Sequence, residues 1–167
     1  MSYGACLRAA ALGCVIGLTA CATIRPPVNT PVSIDPRADW AEVLDTHVDA
    51  EGRIDFRDLI ERGAPLQRFV AWLAGHGPST NPESYATRAA VLAYHLNAYN
   101  ALAMYKVLQA GIPETLAGWR KIQFFALDRV AIDGAIRTLY DYENTVIRPL
   151  GEPRVHFALN CMVVGCP

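Results

Sequence analysis

Cys161 and Cys166, five residues apart near the end of the 167-residue chain, are the thiols best placed to do chemistry, and His156 lies five residues before the first. In an oxidising compartment two such thiols form a disulfide most simply. The chain must then turn, because five extended residues span about 17 Å whereas bridged Cα atoms lie at roughly 4.4 to 6.8 Å. Gly165 eases that turn. Two other readings stay open: one cysteine is a nucleophile, or both thiols are buried and inert. As a nucleophile, Cys161 or Cys166 would take His156 as base, with Asn97 or Asn100 orienting the imidazole as in cysteine-dependent hydrolases and acyl or peptidyl transferases. Asn97 and Asn100 lie three residues apart in a helical stretch and so share a face. Asparagine inside a helix costs about half a kcal/mol against alanine, so tertiary partners are expected to hold these amides, either loop backbone groups or a polar site with His156. His47, His76 and His95 are scattered and lack metal-ligand spacing, and no cofactor is implied.

The other three cysteines fall early. Residues 1–20 have the layout of a secretory signal: a short start with Arg8, an apolar run from Ala9 to Leu18 too short to span a bilayer, then small residues. Leu18-Thr19-Ala20-Cys21 resembles the lipobox of bacterial lipoproteins, an apolar residue and two small ones before the cysteine whose thiol takes the diacylglycerol. Cys6 and Cys14 would leave with the signal, and Cys21 would be the lipid attachment site. Several acyl chains give stable anchoring, each buried methylene contributing about 0.8 kcal/mol. Ala22 stands where inner-membrane retention usually places Asp. In a Gram-negative cell it therefore directs the protein to the inner leaflet of the outer membrane, facing the periplasm. The alternative is an ordinary cleaved signal in which Cys21 is incidental.

The formal charge is −1, and loss of the leader with its single Arg8 takes it to −2. No polybasic run occurs, which argues against nucleic acid as a partner and against an electrostatic membrane patch. Nor does any stretch after the leader reach the roughly 18 uncharged residues of a membrane span, so one domain, soluble apart from its anchor, is expected. No protein or small-molecule partner can be named from the sequence.

The elements that must position these residues follow from periodicity. Residues 21–38 include Pro26, Pro27, Pro31 and Pro36 and read as an extended tether, with the folded domain expected over 39–167. Asp39 is the expected cap of a helix to about Val48, with Trp40, Val43, Leu44 and Val48 as its apolar stripe and Gly52 beyond. Arg53 to Phe56 alternates like a short strand, and Arg57 to Arg62 reads as a helical turn closed by Gly63. Pro65 to Ala74 is a helix with Leu66, Phe69, Val70 and Leu73 on one side. Gly75 to Pro82 is a loop.

The longest helix is expected over Glu83 to Ala110, where Leu92, Leu96, Tyr99, Ala103 and Val107 recur at helical steps. Gln123 to Leu127 and Arg129 to Ile132 read as strands, Asp133-Gly134 as a turn, and Thr138 with Asp141 as a helix start. Leu139, Tyr142, Val146 and Ile147 follow before Pro149. Arg154 to Cys161 alternates as a final strand, with His156, Ala158 and Asn160 on one face and Phe157, Leu159 and Cys161 on the other. In that geometry His156 and Cys161 cannot pair within the strand. The class is helix-rich α+β with a small sheet of short strands, expected to be incomplete in this chain because the last strand lacks neighbours.

Several local sequences, taken together, resemble the domain of unknown function 547 family. They are Trp40 with Val43, Leu44 and Val48; Gly52-Arg53-Ile54-Asp55-Phe56; Tyr94-His95-Leu96-Asn97-Ala98-Tyr99-Asn100-Ala101-Leu102; Arg154-Val155-His156-Phe157-Ala158-Leu159-Asn160-Cys161; and Cys166-Pro167. The family usually carries an aromatic pair at Tyr94-His95 and a small or polar linker at Met162 to Gly165. It also continues past the Cys-Pro pair, so the resemblance implies an N-terminal part of the domain with a missing C-terminal portion. It implies no reaction.

Overall fold

A computed structural model describes residues 22–162. Its first element is a short strand, β1 (Thr23–Ile24), followed by three helices, α1 (Pro36–His47), α2 (Phe56–Arg62) and α3 (Ala64–Leu73). The central helix α4 (Arg88–Gln109) comes next, and then a single helical turn, α5 (Trp119–Ile122). The hairpin β2 (Arg129–Ile132) and β3 (Ala135–Thr138) leads into the short helix α6 (Leu139–Tyr142), and α7 (Val155–Ala158) is the last element described. The sheet has the order β1-β2-β3, with β1 parallel and β3 antiparallel to β2. The α+β class with a small sheet is therefore observed.

Packing follows the apolar spacing. In α3, Leu66, Phe69, Val70 and Leu73 are all buried, as their three- and four-residue steps require, and this stripe lies between α1 and α4. The helix α4 is buried along most of its length, from Tyr94 to Val107, and collects Leu59 of α2 and Leu139 and Tyr142 of α6 into one core. At Asp133 (φ 49°) and Gly134 (φ 73°) both backbone angles are positive, the conformation of a two-residue hairpin turn whose twist suits its strands. Their N–H groups donate to the carbonyls of Leu73 and Ala74 at 2.8 and 3.0 Å, so the hairpin satisfies the open end of α3. Thr138 caps α6 by accepting from the Asp141 N–H at 3.0 Å.

Several expectations change. Asp35, not Asp39, caps α1, accepting from the N–H of Arg37 and Ala38, while Pro36 takes the first helical position. That frees Asp39 to pair with Arg68 of α3 and to accept from the Ser33 hydroxyl. Burial pushes the Asp39 carboxyl up, but Arg68 and Ser33 outweigh it and hold it below its ordinary value. The segment read as a tether is thus partly built into the domain, through β1 and the buried Ser33. Arg53 to Phe56 contributes one bridge, between Val48 and Ile54, rather than a strand. The central helix starts at Arg88 under a Thr87 cap, because Pro82 to Ser84 forms a separate turn.

Two expected strands are helical. Gln123–Leu127 forms a wide helical turn that buries Phe124 and aims its carbonyl at Lys106. A short apolar run fits either state, and the tertiary partner decided it. Arg154 to Cys161 contains the four-residue α7 instead of a strand: Val155 and Leu159, four apart, are both buried, while Phe157 is 71% exposed. The alternation of faces assigned to His156 and Cys161 therefore does not hold, and no sheet neighbour is needed there.

Candidate functional site

The side chains singled out from the sequence meet, in part, where α4 passes the end of α7. Asn100 donates from Nδ2 to the Ala158 carbonyl and accepts at Oδ1 from the Asn160 N–H, both at 2.9 Å. One side-chain amide thereby replaces the backbone partners that a strand would have supplied. Asn160 in turn accepts from the Met162 N–H at 2.7 Å, closing a turn in which Met162 has a positive φ of 59°. Cys161 stands inside this turn and is disulfide-bonded, to a partner outside the described residues. His156 lies on the exposed side of α7 with its ring edge-on to Phe157 at 5.6 Å.

Asn97 is engaged elsewhere. Its Oδ1 accepts from the Trp40 indole N–H at 3.1 Å, tying α4 to α1. Asn100 is therefore the asparagine brought to the segment bearing His156 and Cys161. Cys21 and Cys166 lie outside the described residues. Among the described residues no three His, Cys, Asp or Glu side chains converge as metal ligands, and no helix is long and apolar enough to cross a membrane.

Two features were not anticipated from the sequence. Trp40, Phe69, Trp72 and His76 stack in a row with centroid separations of 5.4, 5.9 and 5.2 Å. Tyr94 meets Trp72 edge-on and donates to the His76 carbonyl at 2.6 Å. His95, next along α4, holds the Tyr142 hydroxyl at 2.7 Å through Nδ1, and burial pushes its pKa down to about 4. At the base of this cluster the Asp133 carboxylate accepts from the N–H groups of Ser79 and Thr80 at 2.8 and 2.9 Å. Burial raises that carboxyl, yet these hydrogen bonds leave it below its ordinary value.

The second feature is Lys106, 1% exposed. Its ammonium donates to the carbonyls of Phe124 and Asp128 and sits 4.8 Å from the centre of the Phe124 ring. Burial pushes its pKa down to about 8, against the pull of the neighbouring Asp128 charge. Lys106 lines a pocket of about 560 Å³ with Ala22, Arg25, Leu116, Arg120 and Asp128, and one buried Asp128 carboxylate oxygen has no hydrogen-bond partner among the described residues. The sequence did carry a signal: Lys106 falls three residues after Ala103 and seven after Tyr99, on the apolar stripe of α4.

A helix-rich α+β domain, organised on one buried central helix that clamps its last turn through an asparagine, is the class this geometry defines. The chain belongs to the family described as a protein of unknown function, DUF547, whose sequence pattern matches residues 83–167 and so includes α4, Asn100, α7 and both late cysteines. No curated protein and no solved structure matches the chain.

Proposed function

We propose that the chain is a lipid-anchored envelope protein whose domain faces the periplasm and serves a binding or structural role. The observation that carries this reading is how the polar groups singled out from the sequence are engaged. Both ends of the Asn100 amide hold backbone, the Asn97 carbonyl holds Trp40, and Cys161 is in a disulfide. Groups committed in this way position a segment and leave no thiolate at Cys161 to attack a substrate. The anchor is supported by the leader layout, by Leu18-Thr19-Ala20-Cys21 and by Ala22 after it. A Cys161–Cys166 disulfide fits the same oxidising compartment.

A second reading, a cysteine-dependent hydrolase or acyl or peptidyl transferase, is favoured by Asn100 drawing the His156 and Cys161 segment onto α4. It requires reduction to release a thiol at Cys161 or Cys166 for His156 to deprotonate. Thiol titration of protein prepared without reductant separates the two. No reactive thiol before reduction is expected, whereas one fast-reacting thiol would replace the first reading with the second. For the anchor, Cys21→Ser is expected to abolish metabolic labelling with palmitate, and persistent label would remove Cys21 as the attachment site.

A further inference from the structure

The short turn α5 exposes more apolar surface than its place beside the pocket requires. Trp119 is 59% and Ile122 49% exposed; three apart on a helical turn, they share a face. Between them stand Arg120 and Lys121, both exposed and, among the described residues, without a salt bridge. Arg25 comes to the same place from the other end of the chain, lining the pocket with Arg120. Nearby carboxylates are Glu114, in the loop before α5, and Asp128, whose charge faces the Lys106 ammonium.

The start of the described chain is fixed to this region. Ala22 accepts from the Arg129 N–H at 2.8 Å, β1 pairs with β2, and Tyr105 donates to the Arg25 carbonyl at 3.3 Å. Ala22 itself lines the pocket beside Arg120.

We propose that the exposed turn α5, with Trp119 and Ile122 on its apolar side and Arg120, Lys121 and, beside Arg120, Arg25 flanking them, is the surface on which the domain lies against an anionic phospholipid bilayer. This rests on the reading that Cys21 carries the lipid. Consecutive Cα atoms are about 3.8 Å apart, so acyl chains on Cys21 start one peptide unit from Ala22, which lines the pocket beside Arg120, and their entry into a bilayer holds this side of the domain close to it. Once there, an exposed tryptophan with a flanking aliphatic side chain suits the level of the head groups. Arginine and lysine stems lie along the apolar boundary with their charges at the phosphates. No run of basic residues in the sequence supplies these charges; the fold brings Arg25 to Arg120, 95 residues further along the chain, and Lys121 follows Arg120 on the exposed turn.

The test uses the full-length chain reconstituted in vesicles of phosphatidylethanolamine and phosphatidylglycerol whose acyl chains are brominated, with tryptophan fluorescence as readout. Trp40 is buried in the core and Trp72 is half-buried in the stack between Phe69 and His76, so Trp119→Phe measures their shared background, and the quenching above it is expected to come from Trp119 and to be lost in that variant. Arg120→Glu with Lys121→Glu is expected to lower the ratio of docked to undocked domain about ten-fold or more. Quenching equal in wild type and Trp119→Phe would overturn the proposal. The intact mass of the same sample reads the anchor separately. Acylated protein without Trp119 quenching sinks the docking face and keeps the anchor. Quenching without acyl groups does the reverse, and absence of both removes both.

Discussion

Lys106 makes the stability of this domain depend on alkaline pH in an unusual direction. Burial lowers its folded pKa to about 8, against an ordinary value of 10.5 that the unfolded chain retains. Below about pH 8 the ammonium is charged in both states, and the folded state carries a burial cost of about 3 kcal/mol at 1.36 kcal/mol per pKa unit. Between 8 and 10.5 the folded protein releases the proton while the unfolded chain keeps it. The unfolded state then binds more protons, and stability rises with pH. From about pH 8 to 9.5 this group contributes a gain of about 2 kcal/mol. Above about pH 10 the gain is opposed, because burial raises Tyr94, Tyr99 and Tyr142 and the unfolded chain loses phenol protons first. Lys106→Met keeps the length of the side chain and removes the titration, so its stability should be flat over the same interval. At neutral pH the variant sheds the cost of the charge but leaves the Phe124 and Asp128 carbonyls unpaired at about 1 to 3 kcal/mol each, so its stability should lie between about 1 kcal/mol above and about 3 kcal/mol below that of the wild type. Urea unfolding of the oxidised protein, followed by tryptophan fluorescence at about pH 7.5 and 9.5, measures both proteins. Parallel behaviour of wild type and Lys106→Met over that interval would refute the reasoning.

Three further outcomes are expected. His95 takes a proton near pH 4 when folded and near 6.5 when unfolded. Lowering the pH through that window should therefore cost about 3 kcal/mol of stability, and His95→Phe should flatten the acid limb seen in urea midpoints between pH 7 and 4. Asn100→Ala leaves the Ala158 carbonyl and Asn160 N–H without their partner and should cost about 1 to 3 kcal/mol, with faster amide exchange concentrated around Asn160. Unchanged exchange there would show that the clamp does not hold the segment. A Cβ at Gly77 would lie 2.5 Å from Asp133 Cγ and 2.6 Å from the Tyr94 hydroxyl, whereas one at Gly75 meets nothing within 4 Å. Gly77→Ala should accordingly lower the melting temperature by the equivalent of about 1 to 3 kcal/mol, and Gly75→Ala by clearly less.

What the sequence determined by itself was local. The α3 stripe, the Thr138 cap and the Asp133-Gly134 turn were legible because each follows from a few adjacent residues and a backbone period. So was the need of Asn97 and Asn100 for tertiary partners, though not their separate tasks, since Trp40 and Ala158 reach them from 57 and 58 residues away. Tertiary structure decided the rest. Gln123 to Leu127 and Val155 to Ala158 are too short to choose between strand and helix by pattern, and they became helical where the Phe124 carbonyl met Lys106 and where Asn100 took the backbone beyond α7. Lys106 itself looks like an interruption of an apolar face until the carbonyls beside it are in place, because what makes a buried charge tolerable is the set of acceptors folding brings to it, and those belong to one segment 18 and 22 residues further along, beyond the reach of a helical or strand period.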